Sequence, residues 1–222
     1  MDGIGQEGFM VKAKFSTNYK AIQSRLRRLP RIVDETLDTF AKRDCTRVIA
    51  EYQKGIKRDL FPTERLNDKT IEIKAGKGYP QPSTPLYGKG EDEKNSLYNA
   101  LAIRKIKRGY RLYVRWAKHH ESDLSLRDLL RIHQRGALIM VTDKMRGFLH
   151  WIGIHLSKDT FIIRIPPRPV LDMAIIKVLE MRKGEDPAKA IKQAMSEYIK
   201  TGRDNLFKKY REFNEREAGL YE

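Results

Sequence analysis

Apolar positions along the chain change period several times, and each change marks an element. Between residues 8 and 15, Phe9, Val11, Ala13 and Phe15 alternate with Met10, Lys12 and Lys14, which predicts a half-buried strand. Ser16, Thr17 and Asn18 offer N-caps for a helix carrying Tyr19, Ile22, Leu26 and Leu29, which Pro30 is expected to interrupt or restart. A longer amphipathic helix follows, with Val33, Leu37, Phe40, Ala41, Cys45, Val48, Ile49, Tyr52 and Ile56 on one stripe; such a stripe is a core face.

Periodicity is lost over residues 59–95, where Pro62, Gly76, Gly78, Pro80, Pro82, Pro85, Gly88 and Gly90 break the pattern and only a short helix near 67–74 is expected. Ile71, Ile73, Tyr79, Leu86 and Tyr87 give this stretch more apolar content than a linker carries, so it reads as a long interaction loop. Alternation returns in a hairpin with arms 100–106 and 110–116 around Lys107-Arg108-Gly109. Tyr110, Leu112, Val114 and Trp116 are expected to face inward and Arg111, Tyr113 and Arg115 outward.

Ser122–Ser125 then supply N-caps for a helix with Leu126, Leu129, Leu130 and His133, ended by Gly136. A polar, flexible stretch around 142–146 precedes an apolar segment with Phe148, Trp151, Ile152 and Ile154. Next comes a strand over 161–165, with Phe161, Ile163 and Ile165 on one face, stopped by Pro166, Pro167 and Pro169. This corner leads into a helix with Val170, Leu171, Ala174, Ile175, Val178 and Leu179. A last helix opens at Asp186-Pro187 and is read as able to continue past Gly202 through Phe207, Tyr210 and Phe213, with frayed final residues. The fold class is α+β: a short antiparallel sheet with a β-hairpin, packed by a long N-terminal helix and by C-terminal helices. Residues 1–182 form one domain with an N-terminal arm (1–17) and the loop 59–95, and 183–222 form a C-terminal helical extension.

Charge changes the picture. Lys and Arg number 45 against 29 Asp and Glu, a net charge of +16, which favours an anionic neighbour such as nucleic acid or an acidic protein face without selecting a fold. The hairpin is the most basic element, through Arg104, Lys105, Lys107, Arg108, Arg111 and Arg115, although solvated strand faces account for such charge as well. Cys45 is the only cysteine, so an intrachain disulfide and a thiolate-rich metal site are excluded, and its place on the apolar stripe makes it a buried, inert thiol. With no basic-then-apolar leader and no long apolar run, the chain reads as a soluble protein made in a reducing cytoplasm.

Candidate chemistry is sparse. His119 and His120 are adjacent and point apart on any regular element, His150 and His155 are five apart, and His133 stands alone, so no metal-ligand spacing emerges. Glu72-Ile73-Lys74 resembles a fragment of a nuclease strand without its acidic partner. Phosphate loops, nucleophile elbows and an activated cysteine are absent, which argues against an enzyme and against a cofactor.

Five short segments carry a resemblance when taken in order: Leu66-Asn67-Asp68-Lys69-Thr70-Ile71 with Lys74; Pro85-Leu86 with Gly88; Ile132-His133-Gln134-Arg135-Gly136; Met145-Arg146-Gly147-Phe148-Leu149-His150 running to Gly153-Ile154-His155-Leu156; and Ile165-Pro166-Pro167-Arg168-Pro169-Val170-Leu171. Together they resemble the tail-completion or virion morphogenesis proteins of tailed bacteriophages, the Mu-like branch in particular, over roughly residues 60–171. The family has a threonine-glycine pair after Pro-Leu where this chain has Tyr87-Gly88, and both ends run beyond the match.

The resemblance implies a virion protein: a small subunit, hexameric as a homo-oligomeric ring, in the neck between a head connector or stopper and a tail terminator, tube or sheath. It implies that Tyr79, Pro85, Leu86, Tyr87 and Gly88 touch neighbouring subunits and that His133, Gly136, Pro166, Pro167, Arg168 and Pro169 define the fold. Arg104, Lys105, Lys107 and Arg108 would face genomic DNA in the lumen non-specifically, with no membrane involved. The alternative, from charge alone, is a non-enzymatic basic nucleic-acid-binding protein of the cytoplasm.

Overall fold

A computed structural model describes residues 19–60, 65–88, 90–107, 109–120 and 122–219. The strand expected over 8–15, the helix N-cap candidates Ser16, Thr17 and Asn18, and Arg108 lie outside them. The fold is α+β and is organised on helix α1, Tyr19–Arg58, whose 40 residues make a rod roughly 60 Å long at 1.5 Å per residue. Pro30 does not interrupt it, against expectation. A helix-interior proline removes one intrahelical hydrogen bond at a cost of about 3 kcal/mol, and packing on both sides of this site outweighs that loss. Leu29 is buried next to it, and Arg25 on the preceding turn donates to the Ile199 and Lys200 carbonyls.

Helix α1 has two cores along its length because two sets of helices flank it. Toward its C-terminus Val48, Tyr52 and Ile56 pack with Leu97, Leu101, Leu126 and Val170. Nearer its N-terminus Leu29 and Phe40 pack with Ile191, Ala194, Tyr198 and Phe207. Neighbours on two sides also explain why polar Thr36, Arg43, Thr46, Arg47 and Glu51 are buried on the same helix, while Leu37 of the expected stripe is exposed. Arg43 and Arg47 reach the Glu185 carboxylate, and Arg47 also bonds Glu217 at 2.6 Å, which ties the two cores at their junction.

The loop 59–95 is more structured than expected. Helix α2, Asp68–Gly76, is capped by the Asn67 side chain accepting from the Lys69 amide, and a 3-10 turn spans Gly90–Asp92. Strands β1, Leu101–Lys105, and β2, Tyr110–Val114, form the hairpin, pairing Leu101 with Val114 and Lys105 with Tyr110. Leu112 and Val114 pack on the core, but Trp116, expected inside, is 90% exposed. It lies past the end of the ladder, where the chain turns toward helix α3, Leu126–Arg135. Ser125 caps α3 by accepting from the Asp128 amide, and Gly136 ends it at φ 74°.

A second two-stranded sheet replaces the single sheet expected. Strand β3, Ala137–Met140, pairs antiparallel with β4, Ile162–Ile165, and they share no ladder with the hairpin. Between them the stretch expected to be flexible is helix α4, Asp143–Trp151, capped by Thr142 accepting from the Met145 amide. Helices α5, Val170–Met181, α6, Pro187–Thr201, and α7, Asn205–Gly219, follow. Gly202, left-handed at φ 70°, separates α6 from α7, so the last helix does not run on as a continuous rod. Helix α7 and helix α5 both lie along α1.

Candidate assembly surfaces

The loop residues expected to touch neighbours are fastened to the body instead of hanging free. Lys74 of α2 donates to the Thr84 carbonyl at 2.5 Å and the Tyr87 carbonyl at 3.1 Å, and its ammonium sits 5.3 Å from the centre of the Tyr79 ring. Glu72-Ile73-Lys74 is therefore helical, and its lysine is a staple. Tyr87 is buried in the core and meets Tyr98 edge-on at 5.7 Å. Leu86 packs against the same core, while Tyr79, Pro85 and Gly88 stay half-buried at its rim.

These residues line a depression of about 240 Å³ with His119, His120 and His133. The rings of His119 and His120 lie 4.4 Å apart, tilted by 45°, and those of His150 and His155 meet edge-on at 4.4 Å. Both pairs come together against expectation, because each involves irregular chain, where helix and strand periods do not apply. Burial pushes the His133 imidazole down to about 4, with Arg168 and His119 adding to the effect, so it is neutral at physiological pH. Among the described residues no cluster of three His, Cys, Asp or Glu has metal-site geometry. Burial, with Asp44 nearby, holds the Cys45 thiol above its ordinary range.

The proline corner and α3 meet in space. The Arg168 amide donates to the His133 carbonyl at 2.5 Å, and Arg168 is buried. A Cβ on Gly136 would lie 2.7 Å from the Ile165 carbonyl oxygen and 3.1 Å from Pro167 N, so only glycine fits where the corner crosses the end of α3. Pro166 and Pro169 are half-buried and Pro167 is exposed. On the hairpin, Arg104, Lys105 and Lys107 are exposed, but Lys105 pairs with Asp38 at 3.4 Å. Arg104 stands directly opposite Arg111, a like-charge pair that weakens the ladder.

What the period reading missed is an arm. β3, α4 and β4 project from the body, and α4 touches other elements only sparsely. The arm is braced internally: the Arg146 guanidinium donates to the Ser157 carbonyl at 2.5 Å and the Thr160 carbonyl at 2.8 Å. Its apolar residues are nevertheless in water: Leu138, Met140, Phe148, Phe161, Ile162 and, at 81%, Trp151. No family model, curated protein or solved structure matches this chain.

Exposed apolar and aromatic side chains in this number are a liability on an isolated subunit and an asset on one that packs against another. Each strand of the β3–β4 pair also keeps one edge unpaired among the described residues, a template for a further strand. Helix α5, directly after the proline corner that ends β4, carries further exposed apolar residues, Met173, Ile176 and Leu179. The signals for the arm were present as Thr142-Asp143 before an apolar pair three residues apart, Phe148 and Trp151, which is a capped amphipathic turn.

Proposed function

We propose that this chain is a structural subunit of a bacteriophage neck, which joins copies of itself into a ring that completes the tail and links it to the head connector, with no reaction of its own. The projecting β3–α4–β4 arm with its exposed aromatic and aliphatic side chains carries this reading. A ring needs a heterologous interface, in which one patch of a subunit meets a different patch of the next. The arm and the exposed apolar residues of α5 are two such patches on one chain. The ordered motif resemblance over residues 60–171 supplies the setting: stopper or connector proteins on one side, tail terminator, tube or sheath on the other, and genomic DNA in the lumen.

The decisive experiment is genetic. Particles made without the protein, or with Phe148→Ser and Trp151→Ser together, are expected to accumulate separate heads and tails. Heads and tails that join normally in both cases overturn the proposal. The loop is a poor target for the same test, because deleting Tyr87 and Leu86 would damage the core itself.

A further inference from the structure

Helix α3 turns an arginine ladder toward a cleft that the ring reading leaves unused. Arg127, Arg131 and Arg135 are four residues apart, so they share one face and rise by roughly 6 Å per step. They line a cleft of about 730 Å³ between α3 and the start of α5, with Trp116 at its mouth. Trp116 is the most exposed large apolar side chain described, yet its backbone is held: the flanking Arg115 amide donates to the Ala100 carbonyl at 2.8 Å, and the Ala117 carbonyl accepts from the Leu126 amide at 2.9 Å. The indole is thus a flat platform on a fixed base.

Other residues of the lining are polar or acidic. Both amide atoms of Gln134, Nε2 and Oε1, are buried without a hydrogen-bond partner among the described residues. With no exposed surface, they face the interior and offer nothing to a molecule in the cleft. Two carboxylates share the cleft. Asp128 is engaged, accepting from the Ser125 hydroxyl at 2.7 Å and pairing with Arg131 at 3.1 Å. Asp172 sits in the first turn of α5, where the helix dipole favours a negative charge. Arg115 and Lys118 add positive charge in the adjoining hollow on the other side of Trp116, with Lys118 paired to Asp123 at 3.4 Å.

We infer that this cleft binds single-stranded nucleic acid, with one base stacked on Trp116 and the strand's phosphates following Arg127, Arg131 and Arg135. Each part has its own reason. Guanidiniums in a row suit successive phosphates. An indole stacks on any base whose face is free, which excludes bases within a duplex. The site is distinct from the hairpin cations Arg104, Lys105 and Lys107 and does not depend on the ring reading.

The test measures fluorescence anisotropy of a labelled oligothymidylate with the full chain at low salt, beside the corresponding duplex and an oligouridylate. Single strands are expected to bind more tightly than duplex, with the uridylate arm separating RNA from DNA preference. Trp116→Ala is expected to weaken binding about tenfold. Replacing Arg127, Arg131 and Arg135 by glutamine should reduce the slope of log affinity against log salt by about 2, three phosphates at about 0.7 each. Replacing Arg104, Lys105 and Lys107 by glutamine should leave both quantities near the parent value. All these side chains are exposed, so the variants should melt with the parent, which separates lost binding from lost fold. Any one of four results overturns the inference: no binding at low salt, equal affinity for duplex, indifference to Trp116→Ala, or equally efficient displacement by polyglutamate, which would assign the ladder to an acidic protein.

Discussion

Arg43→Met tests whether the junction between the two cores is held by charge. The Arg43 side chain is fully buried, its Nη2 lies 2.6 Å from Glu185 and 3.1 Å from Asp44, and its guanidinium covers the Phe40 ring at 5.1 Å. Methionine keeps most of the stem and removes the charge. Breaking a buried pair costs about 3–5 kcal/mol when the abandoned partner stays buried. Here the loss is smaller, because Glu185 is 32% exposed and keeps Arg47 at 3.6 Å, and Asp44 keeps Arg182 at 3.2 Å. The expected cost is therefore about 2–3 kcal/mol, a fall in Tm of about 4–12 °C for a chain of this size. Urea denaturation followed by circular dichroism gives the free energy directly, and an unchanged m-value would confirm that the native state remains compact. Adding Glu185→Gln should recover part of the loss, since the abandoned carboxylate is then neutral. A variant within about 0.5 kcal/mol of the parent, the range of an ordinary surface change, would refute the argument that this network fastens α1 to the chain after α5.

Three further outcomes follow from geometry already described. His133 is neutral in the fold down to about pH 4, whereas in the unfolded chain it protonates near 6.5. Its contribution is thus complete above pH 6.5 and is lost as pH falls to 4, by up to about 3 kcal/mol; His133→Gln should flatten stability across that window, and an unchanged profile would contradict it. Gly136→Ala combines a positive φ with a clash against backbone and should cost more than about 2 kcal/mol, whereas Gly202→Ala meets only the flexible Arg25 side chain and should cost about 1 kcal/mol; thermal melts of the two variants check the order. Phe148→Ser with Trp151→Ser should leave the isolated chain's stability within about 0.5 kcal/mol while abolishing its association, as read by melting and by crosslinking in assembled particles.

Much of the helical architecture was legible because caps are local. Asp186-Pro187, Ser125 and Gly136 each announce a boundary through backbone groups within three residues, and the structure shows those caps in use. The hairpin register was equally local, set by a short connection. Other features depend on neighbours that the period does not name. Continuity through Pro30 comes from packing on both sides of α1, and the exposure of Leu37 and Trp116 comes from where those neighbours end. Strand β3 is four apolar residues without alternation, and only its partner β4 identifies it as a strand. The arginine ladder was readable at its spacing, but the cleft that sets it beside Trp116 is closed by the first turn of α5, about forty residues further along the chain.

The rod of α1 has a consequence for how the molecule can be divided. Residues after Gly184 look like an appendix in the sequence, yet they form one wall of the core around Leu29 and Phe40. A chain truncated there would put a greasy seam of α1 into water and leave Arg43 and Arg47 without Glu185 and Glu217. The tail of the polypeptide is thus a splint for the spine, and shortening it is expected to yield insoluble product instead of a smaller working subunit.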